Sequence, residues 1–170
     1  MRFMATADWQ LGMTRHFLDD ENQPRFTEAR FNALTRIGEI AREEGCAFVA
    51  VGGDVFESNQ VDRRTIERAL AKLRDMEVPV YLLPGNHDPL DAGSVFRRKE
   101  FTDGWPANVH VICDHDPIKV GENCELVGAP WLSKRPGEEP TAAALAELEP
   151  ASPGVTRVLV GHGGLDSIMD

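Results

Sequence analysis

Apolar positions along this chain follow two different periods. Short, largely apolar stretches occur at Arg2–Ala7, Cys46–Val51, Val78–Leu83, Val109–Ile112 and Thr156–Val160. Their length and β-branched content read as strands, since a helix needs a longer periodic pattern. Between the first three runs lie two stretches with helical spacing. Phe26, Ala33, Leu34, Ile37, Ile40 and Ala41 predict a helix over about Pro24–Glu44 that Gly45 stops. Ile66, Ala69, Leu70, Leu73 and Met76 predict a second, capped at its start by Asp62. The resulting βαβαβ order implies right-handed crossovers and a parallel sheet, the signature of the α/β class. Further on, Pro117–Val120 and Cys124–Val127 flank Gly121-Glu122-Asn123 and read as a hairpin of a second, antiparallel or mixed sheet. Thr141–Glu149 predicts a helix closed by Pro150. With no internal repeat and no long linker, residues 1–170 read as one domain.

The strand ends carry the chemistry. The first run gives way to Asp8-Trp9-Gln10-Leu11-Gly12 and the second to Gly52-Gly53-Asp54. The third opens into Pro84-Gly85-Asn86-His87-Asp88, and the last into Gly161-His162-Gly163-Gly164. In a parallel sheet such ends share one edge, where ligands collect on loops held by a rigid scaffold. Each segment also has a plainer reading: an Asn-x-Asp turn, helix or turn capping by Asp8 and Asp54, a hydrogen-bonded turn at His162. Asp88 is expected to orient the His87 imidazole. Trp131 is expected in the core, and Arg97-Arg98-Lys99 reads as a solvated helix face, with contact to a phosphate backbone as the alternative.

A formal charge of −10 argues against a surface that grips nucleic acid unaided. It is weak evidence, because carboxylates gathered as metal ligands add to the count and are neutralised by the cation. Three cysteines without C-x-x-C spacing fit buried structural thiols in a reducing cytoplasm, and no segment resembles a signal peptide or membrane span. Phosphate-cradle, dinucleotide and nucleophile-elbow motifs are absent. Asp, Asp, Asn and His at neighbouring strand ends mix oxygen ligands with imidazole, which suits manganese, iron or zinc better than calcium. A pair of ions about 3.5 to 4 Å apart would hold a phosphate and activate a water.

Asp8-Trp9-Gln10-Leu11-Gly12, Gly53-Asp54-Val55-Phe56, Gly85-Asn86-His87-Asp88 and Gly161-His162-Gly163 together resemble the ordered motifs of calcineurin-like metallophosphoesterases. The opening segment and Gly-Asp-Val-Phe-Glu are most similar to SbcD-type DNA repair exonuclease subunits. The resemblance covers essentially the whole chain. It implies an α/β/β/α sandwich of two mixed sheets, two divalent ions (manganese foremost), and hydrolysis of DNA phosphodiesters by a hydroxide bridging the ions. An SbcC-like ATPase partner and a homodimer belong to the same expectation; a membrane does not. Carried over by motif, Asp8 binds the first ion, Asp54 bridges both, and Asn86 and His162 bind the second. His87 protonates or stabilises the leaving oxygen, with Asp88 setting its tautomer. Gln10 stands where the family has a histidine ligand and is expected to offer the first ion its amide oxygen, a poorer ligand for zinc or iron but tolerable for manganese. The family's later Gly-His-x-His motif has no counterpart after His162, so the chain reads as lacking its carboxyl end. Another phosphatase or a cyclic-nucleotide phosphodiesterase on the same scaffold, or a catalytically degraded scaffold, are the competing readings.

Overall fold

The computed structural model describes residues 1–163, so Gly164 of the last loop lies outside the described residues. Strands β1 (Met4–Thr6), β2 (Val49–Val51), β3 (Val80–Leu82) and β4 (Val109–Val111) lie side by side in that order. Every pairing among them is parallel. Helix α1 (Asn22–Glu43) crosses from β1 to β2, and α2 (Arg63–Arg74) from β2 to β3. After β3 the short helix α3 (Lys99–Thr102) precedes β4. The second sheet contains β5 (Ile118–Gly121), β6 (Cys124–Gly128) and β7 (Thr156–Val160). There β5 and β6 form the antiparallel hairpin, while α4 (Pro140–Glu147) carries the chain back so that β7 runs parallel to β6. Two sheets are therefore present, with mixed strand directions confined, among the described residues, to the second.

Strand alternation explains the layering. Val49, Val51, Val80, Leu82 and Val109 belong to one buried cluster with Phe31, Leu34, Ile66, Leu70 and Leu73 from α1 and α2. Their neighbours Phe48, Ala50, Tyr81 and Leu83 face the other way and form a second cluster with Leu126, against which Ile118, Val120, Val158 and Val160 pack. Both faces of the first sheet are thus covered, as its largely apolar runs require. Asp62 caps α2, its Oδ1 accepting the Thr65 N–H at 2.7 Å. Helix α1 begins two residues before the predicted Pro24, because Asp19 Oδ1 accepts the Glu21 and Asn22 N–H groups and starts the turn early.

Two expectations need correction. Cys46 and Cys124 are buried, but Cys113 is exposed just beyond the edge strand β4. Of the basic run, Arg97 and Lys99 are exposed, while Arg98 turns inward and donates to the Val61 carbonyl at 2.6 Å and to Glu100 at 3.0 Å. No helix among the described residues is long and apolar enough to cross a membrane.

Candidate metal centre

The loops that follow β1 and β2 continue side by side beyond the sheet. Asp8 N–H donates to the Gly53 carbonyl at 3.1 Å, Gln10 N–H to that of Asp54 at 2.8 Å, and Leu11 N–H to that of Val55 at 2.9 Å. Keeping this register while turning the side chains outward forces Asp8, Gln10 and Asp54 into positive φ, at 54°, 43° and 53°. That region costs a residue with a Cβ on the order of 1 to 2 kcal/mol, and its concentration here marks a site rather than a mere connection. Arg30 of α1 braces the first loop by donating to the Trp9 carbonyl at 2.6 Å. Two glycines allow close approach: at Gly53, whose φ is 97°, a Cβ would fall on the His162 ring, and at Gly85 on the Asp54 carboxylate.

A cavity of about 610 Å³ opens at this edge, lined by Asp8, Asp54, Asn86, His87 and His162, with Trp131 and Glu139 in its wall. A cleft of similar size between α2 and α3 carries balanced charges from Arg63, Arg74, Lys99, Glu67, Glu100 and Asp103 and shows no comparable convergence. In the edge cavity, one ligand atom each from Asp8, Asp54 and His162 lies within 4.8 Å of the others. His162 Nδ1 is 2.8 Å from the Gly52 carbonyl, which can only accept, so Nδ1 carries a proton. Its Nε2 then meets two more acceptors, Asn86 Oδ1 at 2.8 Å and Asp54 Oδ1 at 3.3 Å. Such a meeting of lone pairs is stable with a proton on Nε2 or with a cation between the groups. Accordingly, the hydrogen bond with Asp54 raises the His162 pKa over the opposing effect of burial. At Asp54 burial pushes upward, but the hydrogen bonds from His162 and the His87 N–H and the charges of both rings outweigh it, leaving the carboxyl below its usual range. Two carboxylates, an amide oxygen and an imidazole held by a carbonyl on its far nitrogen form a donor set that fits a divalent transition metal.

His87 is fixed in the same manner. Its Nδ1 lies 2.9 Å from the Glu57 carbonyl, which leaves Nε2 bare and 3.9 Å from Asp54 Oδ2. Asp88 plays no part in this, contrary to expectation. It is wholly buried, with Oδ1 accepting the Gly85 N–H and Oδ2 the Phe56 N–H, each at 2.8 Å. Adjacent residues of the loop face opposite ways, so Asp88 staples the loop after β3 to the loop after β2, and the Glu57 main chain orients His87. Burial raises the Asp88 pKa to about 6 despite both hydrogen bonds.

Five of the expected site residues, Asp8, Asp54, Asn86, His87 and His162, line the cavity, whereas Gln10 does not. Sequence reasoning missed Glu57, Trp131 and Glu139. Trp131, expected in the core, is half-buried in the cavity wall, where its Nε1–H donates to the His162 carbonyl at 2.8 Å. Glu139 opens α4, with Oε2 accepting the Ala142 N–H at 2.7 Å, and burial lifts its pKa less than that bond and those from Thr141 lower it. Proline and tryptophan after a strand gave a weak signal for Trp131. None pointed to Glu57, which acts through its backbone.

The α/β core gathers carboxylates, an amide and imidazoles at the carboxyl edge of its parallel sheet, an arrangement able to hold a divalent metal. The calcineurin-like phosphoesterase family model matches residues 1–169, and the chain belongs to that family. Among its relatives are the DNA double-strand break repair proteins Mre11 of Methanococcus maripaludis and Archaeoglobus fulgidus. Each is 35% identical over 91 residues, 52% of this chain and 23% and 19% of theirs. An uncharacterised metallophosphoesterase, YhaO of Bacillus subtilis, is 25% identical over 123 residues, 69% of this chain and 29% of its own. These matches span less than a third of each relative's length. A dimetal phosphatase from Danio rerio shares the fold at a TM-score of 0.50 and 15% identity, over 85% of this chain and 50% of that one.

Proposed function

We propose that this chain is the metal-dependent phosphodiesterase part of an SbcD-type DNA repair exonuclease, using two divalent ions, manganese foremost, and working with an SbcC-like ATPase in the cytoplasm. One observation carries the reading: with Nδ1 committed to the Gly52 carbonyl, His162 Nε2 converges with Asp54 Oδ1 and Asn86 Oδ1, beside the Asp8 carboxylate. Similarity to Mre11 over half of the chain supports DNA as the substrate.

Asp54 would be the ligand shared by both ions, Asp8 would serve the first, and Asn86 and His162 would serve the second. Gln10, outside the cavity lining, is given no part. Bound divalent ions neutralise phosphate charge and lower the pKa of water. The protein residues set the rest. Left-handed backbone at Asp8 and Asp54 aims the carboxylates into the cavity, and the Gly52 carbonyl fixes the His162 tautomer. With Nδ1–H held by the Glu57 carbonyl, His87 takes up a proton from solvent on Nε2 and passes that proton to the departing oxygen as general acid.

Manganese titration calorimetry, followed by assays with bis(p-nitrophenyl) phosphate, duplex DNA ends, a phosphomonoester and a cyclic nucleotide, tests this. Manganese binding with turnover of the diester and of DNA is expected. Turnover of the monoester or cyclic nucleotide without DNA would move the chain to another branch of the family. No metal binding would overturn the reading.

A further inference from the structure

Trp131 occupies a position in the cavity wall that its fixed contacts make more than filler. Its backbone spans both ends of the loop after β3: Trp131 N–H donates to the Pro84 carbonyl at 3.1 Å, and its own carbonyl accepts the Leu90 N–H at 2.8 Å. Asn86 and His87 lie between those two points. Its side chain reaches the loop after β7, where Nε1–H donates to the His162 carbonyl at 2.8 Å and the indole meets the imidazole edge to face, centroids 6.3 Å apart. One residue therefore ties together the segments that supply Asn86 and His162, which come from different sheets.

We propose that Trp131 is a positioning residue of the metal centre, its indole N–H holding the His162 main chain so that Nε2 faces Asp54 and Asn86. This rests on the metal reading of the cavity given above. Apart from Asn86 and Asp54, the groups its Nε2 would share with a metal, the imidazole has one anchor, Nδ1 on the Gly52 carbonyl, and the direction in which Nε2 points depends on the backbone behind the ring as well. The indole N–H supplies that second point. Partners that orient a ligating histidine commonly contribute about 10 to 100-fold in metal affinity.

The test uses the 170-residue chain with manganese alone as the probe. Trp131→Phe keeps an aromatic ring and removes the N–H. Replacement of Trp131 by β-(3-benzothienyl)alanine keeps the full bicyclic shape and removes only the donor, which guards against a Phe variant that fails to fold. Manganese affinity is measured by calorimetry, and imidazole coordination by the nitrogen coupling in pulsed electron paramagnetic resonance. The expected result is affinity about tenfold or more below wild type in both variants, with the nitrogen coupling weakened or lost. A residue that merely fills space would give the benzothienyl protein wild-type affinity and wild-type coupling, and that result overturns the proposal. A wild-type chain that binds manganese without nitrogen coupling, or binds none, removes the metal reading and this inference with it.

Discussion

The loops of the first sheet and the loop of the second are held in different ways. Asp8 and Asp54 sit in backbone locked by a ladder of main-chain hydrogen bonds, and Asp88 rivets the loop carrying Asn86 and His87 to the same ladder. His162 arrives from the other sheet and is tied to its neighbours through side-chain contacts, Nδ1 to Gly52 and its own carbonyl to the Trp131 indole. The acidic side chains are thereby preset, whereas the imidazole is the adjustable member of the candidate site. A cation that pulls on all of them joins two sheets as well as four loops.

Breaking the shared ligand is the most severe test of this contrast. Asp54→Ala should abolish most manganese binding, losing more than the roughly 100-fold typical of removing a supporting contact, while the fold persists because the apolar clusters do not include that side chain. Metal analysis after gel filtration with circular dichroism measures both; unchanged manganese content would show that the acids are not ligands. His87→Gln should lower turnover by roughly 10² to 10⁴ with manganese affinity intact, as for loss of a general acid. Should that variant lose its metal, His87 belongs among the ligands.

Asp88→Asn sharpens the rigid side of the comparison. An amide can accept only one of the two N–H groups and turns a donor on the other, at a cost of about 1 to 3 kcal/mol in stability without change in the identity of the metal ligands. The pH dependence has a definite sign. The folded pKa, near 6, lies above the value of about 3.9 for an exposed carboxyl. Between these values the unfolded chain has already lost the proton that the folded chain keeps, so the Asp88 contribution is largest below about pH 4 and declines as pH rises toward 6. Urea melts of metal-free wild type and Asp88→Asn at pH 4, 5, 6 and 7 should show the wild-type advantage shrinking over that window; an advantage that grows instead would mean Asp88 is ionised throughout.

The adjustable side predicts a smaller, graded effect. Because Asp54 raises the His162 pKa, a proton competes for Nε2 above the ordinary range of histidine as well as within it. Manganese affinity should climb by up to about tenfold per pH unit until that proton is gone, with proton release visible as a buffer-dependent enthalpy. In His162→Ala the climb should flatten, and a slope that survives the substitution would assign it to another group.

Much of this could be read from residues in order. The βαβαβ pattern placed Asp8, Asp54 and the Asn86-His87 pair on one edge, since parallel strands must end together, and the unbroken apolar run Cys46–Val51 is what a strand covered on both faces requires. His162 was legible for the same reason, as the residue just past another apolar run. The partners of these groups were not. Asp88 follows His87 and invited the assumption that they touch, but the turn sends it inward to two backbone N–H groups, while the main chain of Glu57, 30 residues away, takes the imidazole. Trp131 had the composition of a core residue, and 31 residues separate it from the carbonyl it holds.

The sequence by itself determined which strands form, which helices cover them and which side chains emerge at their carboxyl ends, because apolar period and turn residues act over a few positions. Tertiary structure decided where those side chains go: which ring nitrogen keeps its proton, that Asp88 binds backbone rather than imidazole, that Gln10 stays out of the cavity and Trp131 enters its wall. These depend on hydrogen bonds between loops brought together by two sheets, and such bonds reflect distances in space that no local pattern encodes.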